Sequence, residues 1–157
     1  MKKIIIVLMI LFSVPAISSD SWVFMIFKVD KDISVPCLVD ENMNVQYSGK
    51  FFKTDMPIII IEKNFFEDSH NGKYIKMLFN NLINIAKTRG VFSGELAEIK
   101  IKRDMNLAVT LKNRRTYFII KNNLSDFKKI EKSAAYLDAV NTYPELIDLN
   151  DKRVFIR

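Results

Sequence analysis

Pro57 is followed by four consecutive isoleucines, Ile58 to Ile61. Branching at Cβ restricts the side-chain rotamers of isoleucine and suits the pleated backbone, so this run sets a strand near the middle of whatever the chain becomes. The run does not alternate with polar residues, which predicts burial on both faces. A strand of that kind needs other strands beside it and helices against it.

The helices are found by a different period. From Gly72 to Thr88, residues Tyr74, Leu78, Leu82 and Ile85, with Met77, fall on one helical stripe, and Gly90 supplies a stop. Asn123 or Ser125 caps a second helix running to about Val140, with Phe127, Ile130, Ala134 and Leu137 facing inward and Lys128, Lys129, Glu131 and Lys132 outward. Strands fill the rest. Ser34 to Val39 and Val45 to Tyr47 flank a turn rich in Asp and Asn, residues that tolerate left-handed backbone. Glu98 to Lys102, Leu107 to Leu111 and Thr116 to Ile120 form a meander, two of them with the alternation of strands buried on one face. The order predicts an α+β fold: a mostly antiparallel mixed sheet with two helices packed on it.

The chain closes on two apolar runs, Leu146 to Leu149 and Val154 to Ile156, separated by Asn150-Asp151-Lys152-Arg153. This pattern predicts a terminal β-hairpin whose last strand lies at a sheet edge. Such an edge presents a row of N–H and C=O groups to another chain.

The first residues read differently. MKKIIIVLMILFSVPAISSD has two lysines, an apolar run from Ile4 to Phe12, a breaker at Pro15 and a small-x-small pattern at Ala16-Ile17-Ser18, as a secretory leader does. Residues 1–18 are expected to be a signal peptide or a membrane anchor, although Ile4 to Ile17 is shorter than the roughly 20 residues that span a bilayer. Residues 19–33 follow as a membrane-proximal strand or linker, containing the dense apolar run SWVFMIFKV. The expected location is the cell envelope, outside the cytoplasmic membrane. Without the leader the net charge falls from +6 to +4, a mild basic excess that suits an acidic partner or a membrane surface. After export, no nucleic-acid partner is expected. Cys37 is the one cysteine, so an internal disulfide is impossible and an apolar core must hold the domain.

Residues able to do chemistry are sparse. His70 is the single histidine, beside Glu67 and Asp68 in a polar segment that reads as a solvated loop. The four glycines, at 49, 72, 90 and 94, form no phosphate-cradling motif. Lys112, Arg114 and Arg115 sit in a turn between strands, where basic residues ordinarily serve solubility. No catalytic group, cofactor, metal or small-molecule substrate is expected, and the chain reads as a binding module.

One family fits the order of these elements. VPCLVDENMNV from Val35, the Asp55-Met56-Pro57-Ile58 approach to a strand, then helix, meander, a helix with Phe127-Lys128-Lys129-Ile130, and finally Ile147-Asp148-Leu149 together resemble the β domain of the cell-division protein FtsQ, called DivIB in Gram-positive bacteria. The resemblance covers residues 34–157. It departs from the family pattern at Met43 or Asn44, where a turn glycine is usual, and at Asn150, where arginine is usual. Residues 19–33 are also too few for the POTRA domain that such proteins carry before the β domain. The resemblance implies a non-enzymatic divisome scaffold that binds FtsB- and FtsL-type partners by strand addition at the C-terminal edge. It implies a partner surface at Leu149, Asp151, Val154, Phe155 and Arg157. A secreted or periplasmic binding protein with another envelope role is the alternative.

Overall fold

The computed structural model describes residues 22–40, 42–47, 57–150 and 155–156. The isoleucine run forms a strand, Ile58–Glu62, in the interior of one sheet. In chain order the strands are β1 (Trp22–Lys28), β2 (Ser34–Asp40), β3 (Val45–Tyr47), β4 (Ile58–Glu62), β5 (Leu96–Ile101), β6 (Asn106–Leu111), β7 (Tyr117–Lys121), β8 (Leu146–Asp148) and β9 (Phe155–Ile156). Across the sheet they lie as β3-β2-β1-β4-β5-β6-β7-β8-β9. The pairs β1–β4, β4–β5 and β7–β8 are parallel and the other five are antiparallel. This is the mixed, mostly antiparallel α+β sheet expected from the sequence, and the terminal hairpin is β8–β9.

The apolar run after Ser21, open in the sequence between a first strand and a linker, is a strand in the body of the sheet. β1 pairs with β2 on one side, Met25 opposite Cys37, and with β4 on the other, Met25 opposite Ile59. Its Met25 and Phe27 are fully buried, so the sheet begins well before Ser34.

The helices are α1 (Lys63–Glu67), α2 (Gly72–Thr88), α3 (Gly90–Glu95) and α4 (Leu124–Val140), with a short 3-10 turn at Ser69–Asn71. The two long ones are those predicted. The crossovers β4 to β5, through α1, α2 and α3, and β7 to β8, through α4, join parallel strands and step in the same direction across the sheet. Right-handed crossovers of the same sense place all four helices on one face. Burial agrees: Met25, Cys37, Ile59, Ile99, Leu107, Val109, Phe118 and Ile120 meet Ile75, Leu78, Leu82, Ile85, Phe127 and Ile130 in a single core.

Three expectations are corrected. Ile59 and Ile61 are buried but Ile58 and Ile60 are only half-buried, because among the described residues the helices cover one face of β4 and none covers the other. On α2, Met77 is 43% exposed, while Ile75 and Phe79 take places in the core. Gly90 does not stop α2. The helix breaks at Arg89, whose backbone leaves the helical region at φ −142° and ψ 55°, and Gly90 begins α3. Arg89 is tied there by its guanidinium, which donates to the carboxylate of Glu131 on α4.

The ends of α4 obey local rules. The side chain of Asn123 accepts from the Asp126 N–H at 2.9 Å, a conventional N-cap. At the other end Asn141 takes the left-handed conformation, φ 50°, while Thr142 N–H donates to the Leu137 carbonyl at 3.1 Å and Asn141 N–H to that of Asp138 at 3.2 Å. This closes the helix as a Schellman motif.

Candidate functional site: the C-terminal sheet edge

That closure aims the chain at β8. Thr116 Oγ1 donates to the Pro144 carbonyl at 2.6 Å, and Tyr117 N–H donates to the Glu145 carbonyl at 2.8 Å. Beyond them β8 runs parallel to β7 with Tyr117 opposite Leu146, Phe118 opposite Ile147 and Ile119 opposite Asp148. Leu149 N–H completes the ladder by donating to the Ile119 carbonyl at 2.9 Å. β8 is therefore fixed along its length from one side.

β9 then pairs antiparallel with β8, Ile156 opposite Ile147 and Phe155 opposite Asp148. It ends the strand order, so among the described strands β8 is its one neighbour. Along any strand the peptide groups point alternately to the two sides, so a strand with one neighbour leaves half its polar backbone for another chain or for water. Chemically, this site can accept a strand.

The five residues singled out for partner contact are distributed unequally. Phe155 lies in β9 at the edge itself. Leu149 is 6% exposed and belongs to the core, so its side chain packs inward rather than meeting a partner. Asp151, Val154 and Arg157 lie outside the described residues. Asn150 donates its N–H to Asp148 Oδ1 at 2.9 Å.

A second surface, which the sequence reading set aside as a soluble turn, is organised by one of its arginines. Arg114 donates Nη1 to Asp138 Oδ1 and Nη2 to Asp138 Oδ2, both at 2.7 Å, and Nη1 also to the Ala134 carbonyl at 3.2 Å. The fork holds the Asp138 carboxyl below the usual carboxylate range, helped by the Tyr143 hydroxyl, which donates to Oδ1 at 3.1 Å. Arg114 thus binds the β6–β7 turn to α4, directly upstream of β8. Lys112 and Arg115 line the same open groove and are exposed.

His70 does not form a constellation. Its Nδ1 lies 2.8 Å from Asp68 Oδ1, and its backbone N–H caps the same oxygen at 2.9 Å, which lowers the Asp68 pKa. The imidazole is 90% exposed, in open solvent rather than a cleft. Among the described residues no three His, Cys, Asp or Glu side chains converge as metal ligands, and no helix is long and apolar enough to cross a membrane.

No protein-family model, curated protein or solved structure matches the chain.

Proposed function

We propose that this protein is a non-enzymatic scaffold of the bacterial divisome, similar to the β domain of FtsQ and DivIB, acting at the outer side of the cytoplasmic membrane. Its partners are coiled-coil division proteins of the FtsB and FtsL type. Each partner docks by laying an extended segment against β9, so that main-chain bonds supply affinity and the side chains around the edge select the sequence. The observation that carries this reading is the position of β9 as the last strand of the sheet, with β8 as its one described neighbour. The motif order from Val35 to Leu149 supports the choice of partner.

The site needs rigid support to present an edge, and its support is long-range. β8 is held by β7, by the Schellman closure of α4 and by Thr116, all of them outside the hairpin. The test is the affinity of the purified chain for the extracytoplasmic part of an FtsB-type protein, measured with wild type and with Phe155→Lys. The expected result is a loss of at least about tenfold, as a charge enters a strand-addition edge. Equal affinity for the two chains would remove β9 as the docking strand, and no binding by wild type would remove the divisome reading itself.

A further inference from the structure

α2 and α4 lie side by side over the sheet. Asn122, two residues before α4, bonds to the Tyr74 carbonyl and to Asn81 Nδ2 on α2, and Arg89, at the end of α2, donates to Glu131 on α4. Each helix turns one apolar stripe into the common core, Ile75, Leu78, Leu82 and Ile85 from α2 and Phe127, Ile130, Ala134 and Leu137 from α4. At a helical period the opposite stripe carries Lys73, Lys76 and Lys87 on α2 and Lys128 and Lys132 on α4, all five exposed. None of the five forms an ion pair among the described residues. No acid interrupts them. α2 contains none, and the three carboxylates of α4 stand off its outward stripe, each already paired: Asp126 with Lys129, Glu131 with Arg89 and Asp138 with Arg114. The two helices with these two arginines hold eight basic and three acidic residues, a net charge of +5 against +6 for the whole chain. The positive excess of the protein is thus gathered on its helical face.

The shape and kind of this charge identify the partner. Along α2 the lysines span about 21 Å at 1.5 Å per residue, and neighbouring helix axes lie about 8–10 Å apart, so the five ammoniums cover a broad layer rather than surround a point. That is too wide for one small anion. Both arginines of the layer, whose planar forks would fit a particular carboxylate or phosphate, are committed inside the protein to Glu131 and Asp138. What faces outward is lysine alone, a hydrated point charge on a flexible stem, which neutralises a diffuse field and needs no fixed geometry. We propose that the α2–α4 layer rests on the surface of a bilayer containing anionic phospholipid. Each lysine near such a surface strengthens partition about fivefold, and the effects compound because all five face the same way. Tyr136, 66% exposed on the outward stripe of α4, has the apolar ring and polar tip that suit the headgroup level. This orientation sets the sheet parallel to the membrane and keeps β9 at its rim. The proposal does not rest on the division reading.

The test is co-sedimentation of the purified full chain with vesicles of phosphatidylcholine, alone or mixed with phosphatidylglycerol. Wild type is expected to bind the mixed vesicles at least about tenfold more strongly than the neutral ones, and to lose that preference near 1 M salt, where the screening length falls to about 3 Å. An α2 variant, Lys73→Gln with Lys76→Gln and Lys87→Gln, and an α4 variant, Lys128→Gln with Lys132→Gln, should each weaken binding to the mixed vesicles at least about tenfold. A comparison variant, Lys31→Gln with Lys100→Gln and Lys112→Gln, removes three exposed charges from elsewhere and should bind as wild type does. Arginine at the positions changed in the α2 and α4 variants keeps the charge and should keep the binding, which separates a loss of charge from a loss of fold. No preference of wild type for the mixed vesicles would overturn the proposal and leave the layer to an acidic protein. Wild-type binding by either helix variant, an equal loss in the comparison variant, or no binding with arginine would overturn it too, by taking the contact away from this layer.

Discussion

Arg114 and Asp138 are joined by two parallel bonds of 2.7 Å, one from each terminal nitrogen, between the β6–β7 turn and the last turn of α4. The guanidinium is mostly enclosed, its side chain 17% exposed, whereas the carboxylate is half open to solvent. A planar fork matches a carboxylate in a way that an ammonium cannot, so Arg114→Lys is a real loss at this position. Because the fork lowers the Asp138 pKa in the folded state, its stabilisation is present above the unfolded carboxylate value of about 3.9 and is lost as pH falls through the folded value. The expected outcome is that Asp138→Asn melts a few degrees below wild type at neutral pH and that the gap closes in acid below about pH 4. Thermal melts from neutral pH into acid decide this. A gap that does not depend on pH would show that the carboxylate charge contributes nothing.

Asn122 joins α2 to the segment between β7 and α4. It is 4% exposed; its Nδ2 donates to the Tyr74 carbonyl at 2.9 Å and its Oδ1 accepts from Asn81 Nδ2 at 3.0 Å. A buried amide is stabilising only while both ends are satisfied, and truncation leaves the Tyr74 carbonyl and the Asn81 amide without it. Asn122→Ala is expected to cost about 1–3 kcal/mol. Asn122→Asp should cost at least as much, since it removes the donor to Tyr74 and introduces a charge. Denaturant unfolding of both variants measures the effect, and stability within error of wild type for both would show that water replaces the amide at no cost.

Much of this fold is legible in short windows of sequence, and the misses share a cause. The Asn123 cap, the inward stripe of α4 and the alternation of Leu107, Val109 and Leu111 are local patterns, and each is realised. Whether Ile58 and Ile60 are covered depends on where the crossovers run, and four isoleucines read alike whether one face is packed or two. Gly90 has the residue type of a helix stop, but the break falls at Arg89, which reaches Glu131 42 residues away. Arg114 reads as a soluble turn residue because its partner, Asp138, lies 24 residues on. Leu149 has the right place in the chain for partner contact, yet its side chain turns into the core. The β8–β9 pairing is legible because two apolar runs around a polar tetrapeptide need only a local hairpin to meet.

Cys37 offers a reporter on the part of the sheet farthest from β9. It lies in β2 opposite Met25, is fully buried, and its Sγ is 3.6 Å from the Met25 carbonyl. Burial pushes the thiol up to about 12, because a thiolate there has lost its water. Alkylation needs both access and the thiolate, so the native protein at pH 8 is expected to react far more slowly than the unfolded chain, whose thiol titrates near 8.5. Labelling then proceeds through opening of β1 and β2, and its rate across a denaturant series gives the free energy of that opening. If β2 opens only with the whole core, the labelling free energy equals the global unfolding free energy measured on the same samples. A smaller value would mean that the β3–β2 side separates first, and rapid labelling in the absence of denaturant would contradict the enclosure of Cys37 altogether.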